Sequence, residues 1–382
     1  MFKKYYSRFL EANKGKLHMA CHSHHYWPDC TREATLEYWD DTAKYVDEKW
    51  GHIFSNVIPK AQRLIAKNLN IVNPSRIAFA PNTHELAFRL LSALDLRNEI
   101  SILTTDSEYH SFERQIQRLS EWENIKVKKI PVLPIETFEE RFLAEQEHTY
   151  DLVFFSHVFF NSGLAVKGFK NIVNAFYKKS IVAVDGYHGF MAIPTDLSDI
   201  ENKCFYIAGS YKYAQGGEGC CFMSCPDNDL RPMQTGWFAE MDNLENKTEG
   251  QNVTYSSSGF KFAGATMDFT AMYRLNATLG LFDLEHISTS AIHKHIQKIQ
   301  SNFLKELPEH GLVSKNSLLI NEADYHGHFF TFQIGDPVKT KELYNQLSKI
   351  GIQTDFRNDR LRFGFGMYHD ESLDFSFLKN LN

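Results

Sequence analysis

Short apolar runs of strand length alternate with amphipathic stretches from about residue 76 to residue 224. The runs Arg76–Ala80, Ile100–Thr104, Lys126–Ile130, Asp151–Ser156, Ile181–Asp185, Cys204–Ala208 and Gly219–Ser224 predict seven strands. Between them, Thr83–Leu94, Ser107–Ser120 and Lys170–Lys179 repeat apolar residues every three or four positions and predict helices. Strand–helix alternation of this kind implies βαβ units, so the fold class is α/β, with a mostly parallel sheet covered by helices on both faces. Upstream, residues 31–50 and Val57–Leu69 predict helices, the second with Val57, Ile58, Ala61, Leu64 and Ile65 on one face. Downstream, Ala265–Leu307 predicts a long helical stretch. A strand at Phe329–Ile334, a helix at Lys339–Lys349 and strands at Ile352–Phe356 and Leu361–Phe365 follow.

That pattern divides the chain into an N-terminal arm (1–50), a large α/β domain (51–264) and a smaller C-terminal α/β domain (265–382). A length of 382 residues calls for more than one core. The arm is expected to pack on the smaller domain or on a second subunit. Composition adds mostly exclusions. Net charge is −6, and nothing here suggests a nucleic-acid partner, which would call for a basic face. The N-terminal stretch has no apolar run fit for a signal peptide, and no run approaches a membrane span, so a cytoplasmic protein is expected. The six cysteines form no CxxC pair of pairs and are read as reduced thiols. The 31 Phe and 17 Tyr suit a pocket for a planar ligand, although most must serve the core or an interface.

Parallel sheets bind ligands at the carboxyl ends of their strands, and the informative polar residues fall there. Asn82-Thr83-His84-Glu85 follows the first strand, with Asn82 as an N-cap and Glu85 placed for a capping box; a helix start at a strand end suits a phosphate. Tyr109 follows the second strand. Asp185 ends an apolar strand, where a carboxylate is costly unless paired, and Asp185 and His188 form an Asp-x-x-His. Lys212, in Ser210-Tyr211-Lys212-Tyr213, stands at the next strand end ahead of a glycine run. A lysine so placed can lose its proton and form a Schiff base. Each feature has a plainer account: a capped helix, a half-buried tyrosine, an Asp-capped turn, a solvated lysine. Their order on successive strands is what points to a pyridoxal phosphate site, a pyridinium partner followed by a carbonyl anchor.

With these motifs in place the chain resembles the class V aminotransferase family, pyridoxal-phosphate enzymes of fold type I. Within that family it most resembles the kynureninases, through Ser210-Tyr211-Lys212-Tyr213, Thr235-Gly236-Trp237-Phe238 and Asp355-Phe356-Arg357 to Tyr368. The resemblance implies that Thr83 and His84 hold the phosphate, with help from Tyr211, which is also a candidate for proton transfer. It implies that Tyr109 stacks on the ring, Asp185 pairs with the ring nitrogen, His188 lies at the ring's polar edge and Lys212 is the Schiff-base lysine. It places Trp237 at the phosphate, in the same or a neighbouring subunit, and Arg362 on the substrate's α-carboxylate, with Arg357 the alternative. His22-Ser23 stands where the family carries Asn-Ser, and FKFAGATM at 260–267 lacks an asparagine; both lie near the substrate end. No carboxylate or cysteine pattern completes a metal site around His18, His22, His24 and His25. The implied activity is hydrolysis of a kynurenine-type amino acid to alanine and an aryl acid, by a homodimer. A class V aminotransferase or lyase on another amino acid is the alternative. Cysteine desulfuration would need a mobile cysteine in the C-terminal part, and none follows Cys225.

Overall fold

The computed structural model describes residues 2–246 and 252–381. Seven strands form its central sheet: β1 (Ile77–Ala80), β2 (Ile100–Thr105), β3 (Ile125–Ile130), β4 (Leu152–Ser156), β5 (Ile181–Asp185), β6 (Phe205–Gly209) and β7 (Cys221–Ser224). The strand order is β1-β7-β6-β5-β4-β2-β3, and only β7 runs antiparallel to its neighbours. All six other strands therefore present their carboxyl ends at one edge. The central strands are buried along their length because helices cover both faces, which is why they read as unbroken apolar runs. Alternate residues feed two cores: Val153, Phe155 and Tyr206 on one side, Phe154, Phe205 and Ile207 on the other. β3, at the sheet edge, is Ile-Lys-Val-Lys-Lys-Ile; its exposed lysines discourage edge-to-edge pairing.

The longer helices among the described residues surround the sheet and the C-terminal layer: α1 (Cys30–Tyr45), α2 (Ile58–Leu69), α3 (Thr83–Leu91), α4 (His110–Leu119), α5 (Phe169–Phe176), α6 (Thr270–Leu284), α7 (Thr289–Glu306) and α8 (Pro337–Lys349). The long helical stretch expected over 265–307 holds two helices, α6 and α7. His286 turns to a positive φ of 54°, and Ser288 caps α7 by accepting from the Ala291 N–H at 3.2 Å. The expected strand Ile352–Phe356 also divides. Ile352–Gln353 pairs in parallel with Leu17–His18 of the arm. The antiparallel sheet beside it consists of β8 (Phe329–Gln333), β9 (Asp355–Arg357) and β10 (Arg360–Gly364), in the order β9-β10-β8. The arm thus packs on the C-terminal layer of its own chain, and α1 lies along α6. No helix among the described residues is long and apolar enough to cross a membrane.

Candidate active site

The carboxyl edge of the sheet and the β8–β10 layer enclose a cavity of about 210 Å³. Five strand ends feed it: α3 starts at the wall with Thr83 after β1, Tyr109 precedes α4 after β2, Ser156 ends β4, Asp185 ends β5 and Lys212 follows β6. The opposite wall carries His22 and Ser23 of the arm with Arg357 and Arg362 of the antiparallel sheet.

The Lys212 amine meets Nε2 of His188. Burial lowers the Lys212 pKa, partly countered by the negative charge of Asp185. Burial likewise holds His188 well below the usual histidine range, assisted by the nearby Lys212 and Arg362 charges. The contact is therefore between a neutral imidazole and a lysine whose pKa, lowered to about 7, leaves a large share of the amine unprotonated near neutral pH. Asp185 caps the following turn with one oxygen, accepting the Tyr187 N–H at 2.8 Å; its other oxygen has no hydrogen bond among the described residues. Its carboxyl pKa is raised by burial. The turn cap thus uses one carboxylate oxygen of Asp185 and leaves the other free. Below it, Glu108 is buried and pushed up to about 8, accepting from the hydroxyls of Ser156 at 2.6 Å and Thr105 at 2.7 Å.

On the facing wall, Arg362 is buried. It donates from one terminal nitrogen to Asp355 at 2.7 Å and from the other to the Phe160 carbonyl at 2.5 Å; its Nε–H has no partner. His22 stacks on Phe329 with ring centres 4.4 Å apart, lies 3.8 Å from Asp355, and leaves both ring nitrogens unpartnered. Arg357 is exposed at the mouth and makes no hydrogen bond or ion pair among the described residues.

The structure brings together most of the residues singled out in the sequence: Thr83, Tyr109, Asp185, His188, Tyr211, Lys212, His22, Ser23, Arg357 and Arg362 all line this cavity. Tyr109 donates its hydroxyl to the Thr83 carbonyl at 3.1 Å, which fixes its ring beside the start of α3. Two of the singled-out residues lie apart from this cavity. The His84 side chain does not line it: it is exposed, and its ring is held by Gln115 Nε2 at 2.8 Å. Trp237 also lies outside; it is 38% exposed and donates to Thr266 at 3.3 Å, among Trp50, Phe54 and Phe238. The capping box is half formed. Asn82 accepts the Glu85 N–H at 2.9 Å, but the Glu85 carboxylate turns to Arg89. Ser156, Phe160, Glu108 and Asp355 were not singled out. Ser156 ends a predicted strand, so the strand-end rule would have found it; the other three depend on pairings made only in the fold.

These residues fit pyridoxal phosphate. The site holds a buried carboxylate with a free oxygen, a histidine whose Nδ1 is buried without a partner, an amine whose pKa burial lowers and a helix start at one wall. A protonated ring nitrogen answers the first need, and a carbonyl suits the amine.

Comparison with known proteins gives the same assignment. Residues 27–355 match the family described as Aminotransferase class-V. Isopenicillin N epimerase of Amycolatopsis lactamdurans is 29% identical over 193 residues, covering 47% of each chain. That of Streptomyces clavuligerus is 27% identical over 176 residues, covering 44% of each. The similar stretch thus spans about half the length of these curated relatives. Among solved structures, a complex of the cystine C–S lyase C-DES with its product cysteine persulfide superposes with a TM-score of 0.82 at 19% identity, covering 97% of this chain and 98% of that one. A cysteine desulfurase from Thermococcus onnurineus NA1 gives 0.77 at 15% identity, covering 96% and 92%. None of these relatives is named as a kynureninase. The chain is a member of the class V aminotransferase family, whose enzymes use pyridoxal phosphate.

Proposed function

We propose that this protein is a pyridoxal-phosphate-dependent lyase that removes the Cα proton of a polar amino acid and releases its β-substituent. The observation that carries the reading is the buried Lys212 amine, its pKa lowered by burial, set against His188 in one cavity with Asp185 and Arg362. When bound, the cofactor supplies a carbonyl for the substrate amine and a sink for the electron pair freed at Cα. Thr83, Tyr109 and Tyr211 would hold it, and Asp185 would keep a proton on its ring nitrogen. The neutral Lys212 amine accepts the Cα proton, which an ammonium cannot do. His188, neutral and touching Nζ, orients that amine. The Arg362 Nε–H is the donor left over for the α-carboxylate, since its terminal nitrogens are engaged by Asp355 and Phe160. The net change is one water consumed, with a 2-oxo acid, ammonium and the protonated β-substituent released. The exposed Trp39 and Trp237 suit burial against a second copy of the chain, in a homodimer.

Kynurenine-type hydrolysis is the second reading, favoured by the Ser210–Tyr213 and Leu361–Tyr368 motifs. Its aryl group would have to lie among His22, Ser23, Arg357 and Arg362, a polar wall better matched to a polar side chain. Desulfuration through a cysteine finds no support in the cavity, which no cysteine lines. The test is product analysis over a panel of amino acids, kynurenine included, with and without a keto-acid acceptor. Release of a 2-oxo acid and ammonium without acceptor is expected. Turnover only with an acceptor would make the protein an aminotransferase; alanine and anthranilate from kynurenine would make it a hydrolase.

A further inference from the structure

A second chamber of about 390 Å³ opens beyond the first. His110, Phe160 and Arg357 line both, so the two form one path from Lys212 to solvent. His110 and Phe160 meet edge to face at 4.9 Å and form the neck. The outer wall is the tight turn between β9 and β10, where Arg357 and Arg360 are direct cross-strand partners around Asn358 and Asp359. Like charges paired in this way repel. Neither arginine has an ion pair among the described residues. Asp359, next in the chain, is instead held by Gln333 at 2.5 Å, and Arg360 spends its Nε–H on Gln333 at 2.9 Å. Asn161 adds a buried Oδ1 with no donor to the same chamber. Two guanidinium groups without an ion pair thus face a polar chamber that continues the substrate cavity, with Asp359 as the one carboxylate among its lining residues. Meanwhile the inner arginine, Arg362, already has a carboxylate partner in Asp355.

We propose that this chamber is a second substrate subsite, in which Arg357 and Arg360 bind an acidic group at the far end of the side chain. The substrate is then an α-amino acid whose side chain ends in a carboxylate. Its α-carboxylate lies at Arg362, and its side chain passes between His110 and Phe160. This inference rests on the amino-acid reading of the inner cavity. The bidentate geometry of guanidinium groups suits a carboxylate, and the unpaired cations make the anion's binding a relief of repulsion.

The experiment is calorimetric titration of the full chain loaded with pyridoxal phosphate, using L-2-aminoadipate and L-norleucine, which match in chain length and differ in the terminal acid. Aminoadipate should bind about tenfold more tightly, the order expected for a charge-assisted contact at a partly wet site. Arg360→Gln should remove most of that preference while leaving norleucine affinity within about twofold, and Arg360→Lys should keep part of it. Arg357→Gln should weaken aminoadipate at least as much. Equal affinity for the two ligands, or a preference unchanged in both glutamine variants, overturns the subsite; so does failure of either ligand to bind. Borohydride labelling of Lys212 on the same sample separates the two claims. A labelled protein without the preference sinks the subsite alone, and an unlabelled one sinks the cofactor reading with it.

Discussion

In the proposed reaction, Asp185 and Arg362 each serve the fold and the chemistry with one side chain. Asp185 holds the turn at the end of β5 with one oxygen and offers the other to the cavity. Asp185→Asn keeps the shape and removes the charge, so cofactor should remain bound while kcat falls about 100-fold, roughly 2.7 kcal/mol in barrier. Near-normal turnover would show that Asp185 is not the ring partner. Arg362→Ala should lower kcat/KM by about 2–3 kcal/mol, mostly through KM, and Arg362→Lys should rescue little because an ammonium replaces neither the Nε–H nor the two terminal nitrogens that hold Asp355 and the Phe160 carbonyl. The change also leaves Asp355 without its cation, so some loss of stability should accompany it. If steady-state kinetics show the larger loss in Arg357→Ala, the inner and outer roles of the two arginines are reversed. Lys212 and Asp185 were legible in the sequence because each is a charged residue where an apolar strand ends. Asp355 was not, because its role appears only when β9 pairs with β10 and places it beside Arg362 and His22.

At the level of elements, strands were legible where both faces are covered, since continuous apolar runs have few other uses. Their bounds shifted by a residue or so; β5 kept its predicted limits, Ile181–Asp185. Helices failed where a break leaves the apolar period intact, as between α6 and α7, where a positive φ at His286 interrupts a pattern that still reads as helical. The strand at 352–356 divided because its halves find different partners, the arm and β10, and no local signal announces a change of partner. The start of α3 is a local device that is testable on its own. Asn82→Ala removes the cap on the Glu85 N–H and should cost about 1 kcal/mol in urea unfolding. An unchanged midpoint would mean that packing of α3 on the sheet holds this turn without the cap.

For the whole molecule, buried histidines set the response to acid. Burial pushes His25 and His369 down to about 3, and His157 and His326 down to about 4. In the unfolded chain each titrates near 6.5, so below that pH the unfolded state binds more protons and gains. Their contribution is intact above 6.5 and is lost as pH falls toward the folded values, by roughly 2 kcal/mol for each at pH 5. Glu108, pushed up to about 8, and Asp185, pushed up to about 6, work in the opposite sense between the ordinary carboxylate range and those values, but they are two groups against four. Thermal unfolding at fixed cofactor concentration should therefore show Tm dropping sharply between pH 7 and 5. A flat profile would mean that these histidines are hydrated or paired. The histidine-rich arm was legible only as a cluster; that His18, His25 and His369 pack together under Tyr26 and Tyr368 follows from the arm's strand lying beside Ile352–Gln353.

The central claim is that Lys212 carries the cofactor. Borohydride reduction of the loaded protein, followed by digestion and mass mapping, addresses it directly. The account predicts a pyridoxyl mass on the peptide containing Lys212, and its absence in Lys212→Ala. Label on any other lysine, or label that survives in Lys212→Ala, would contradict it.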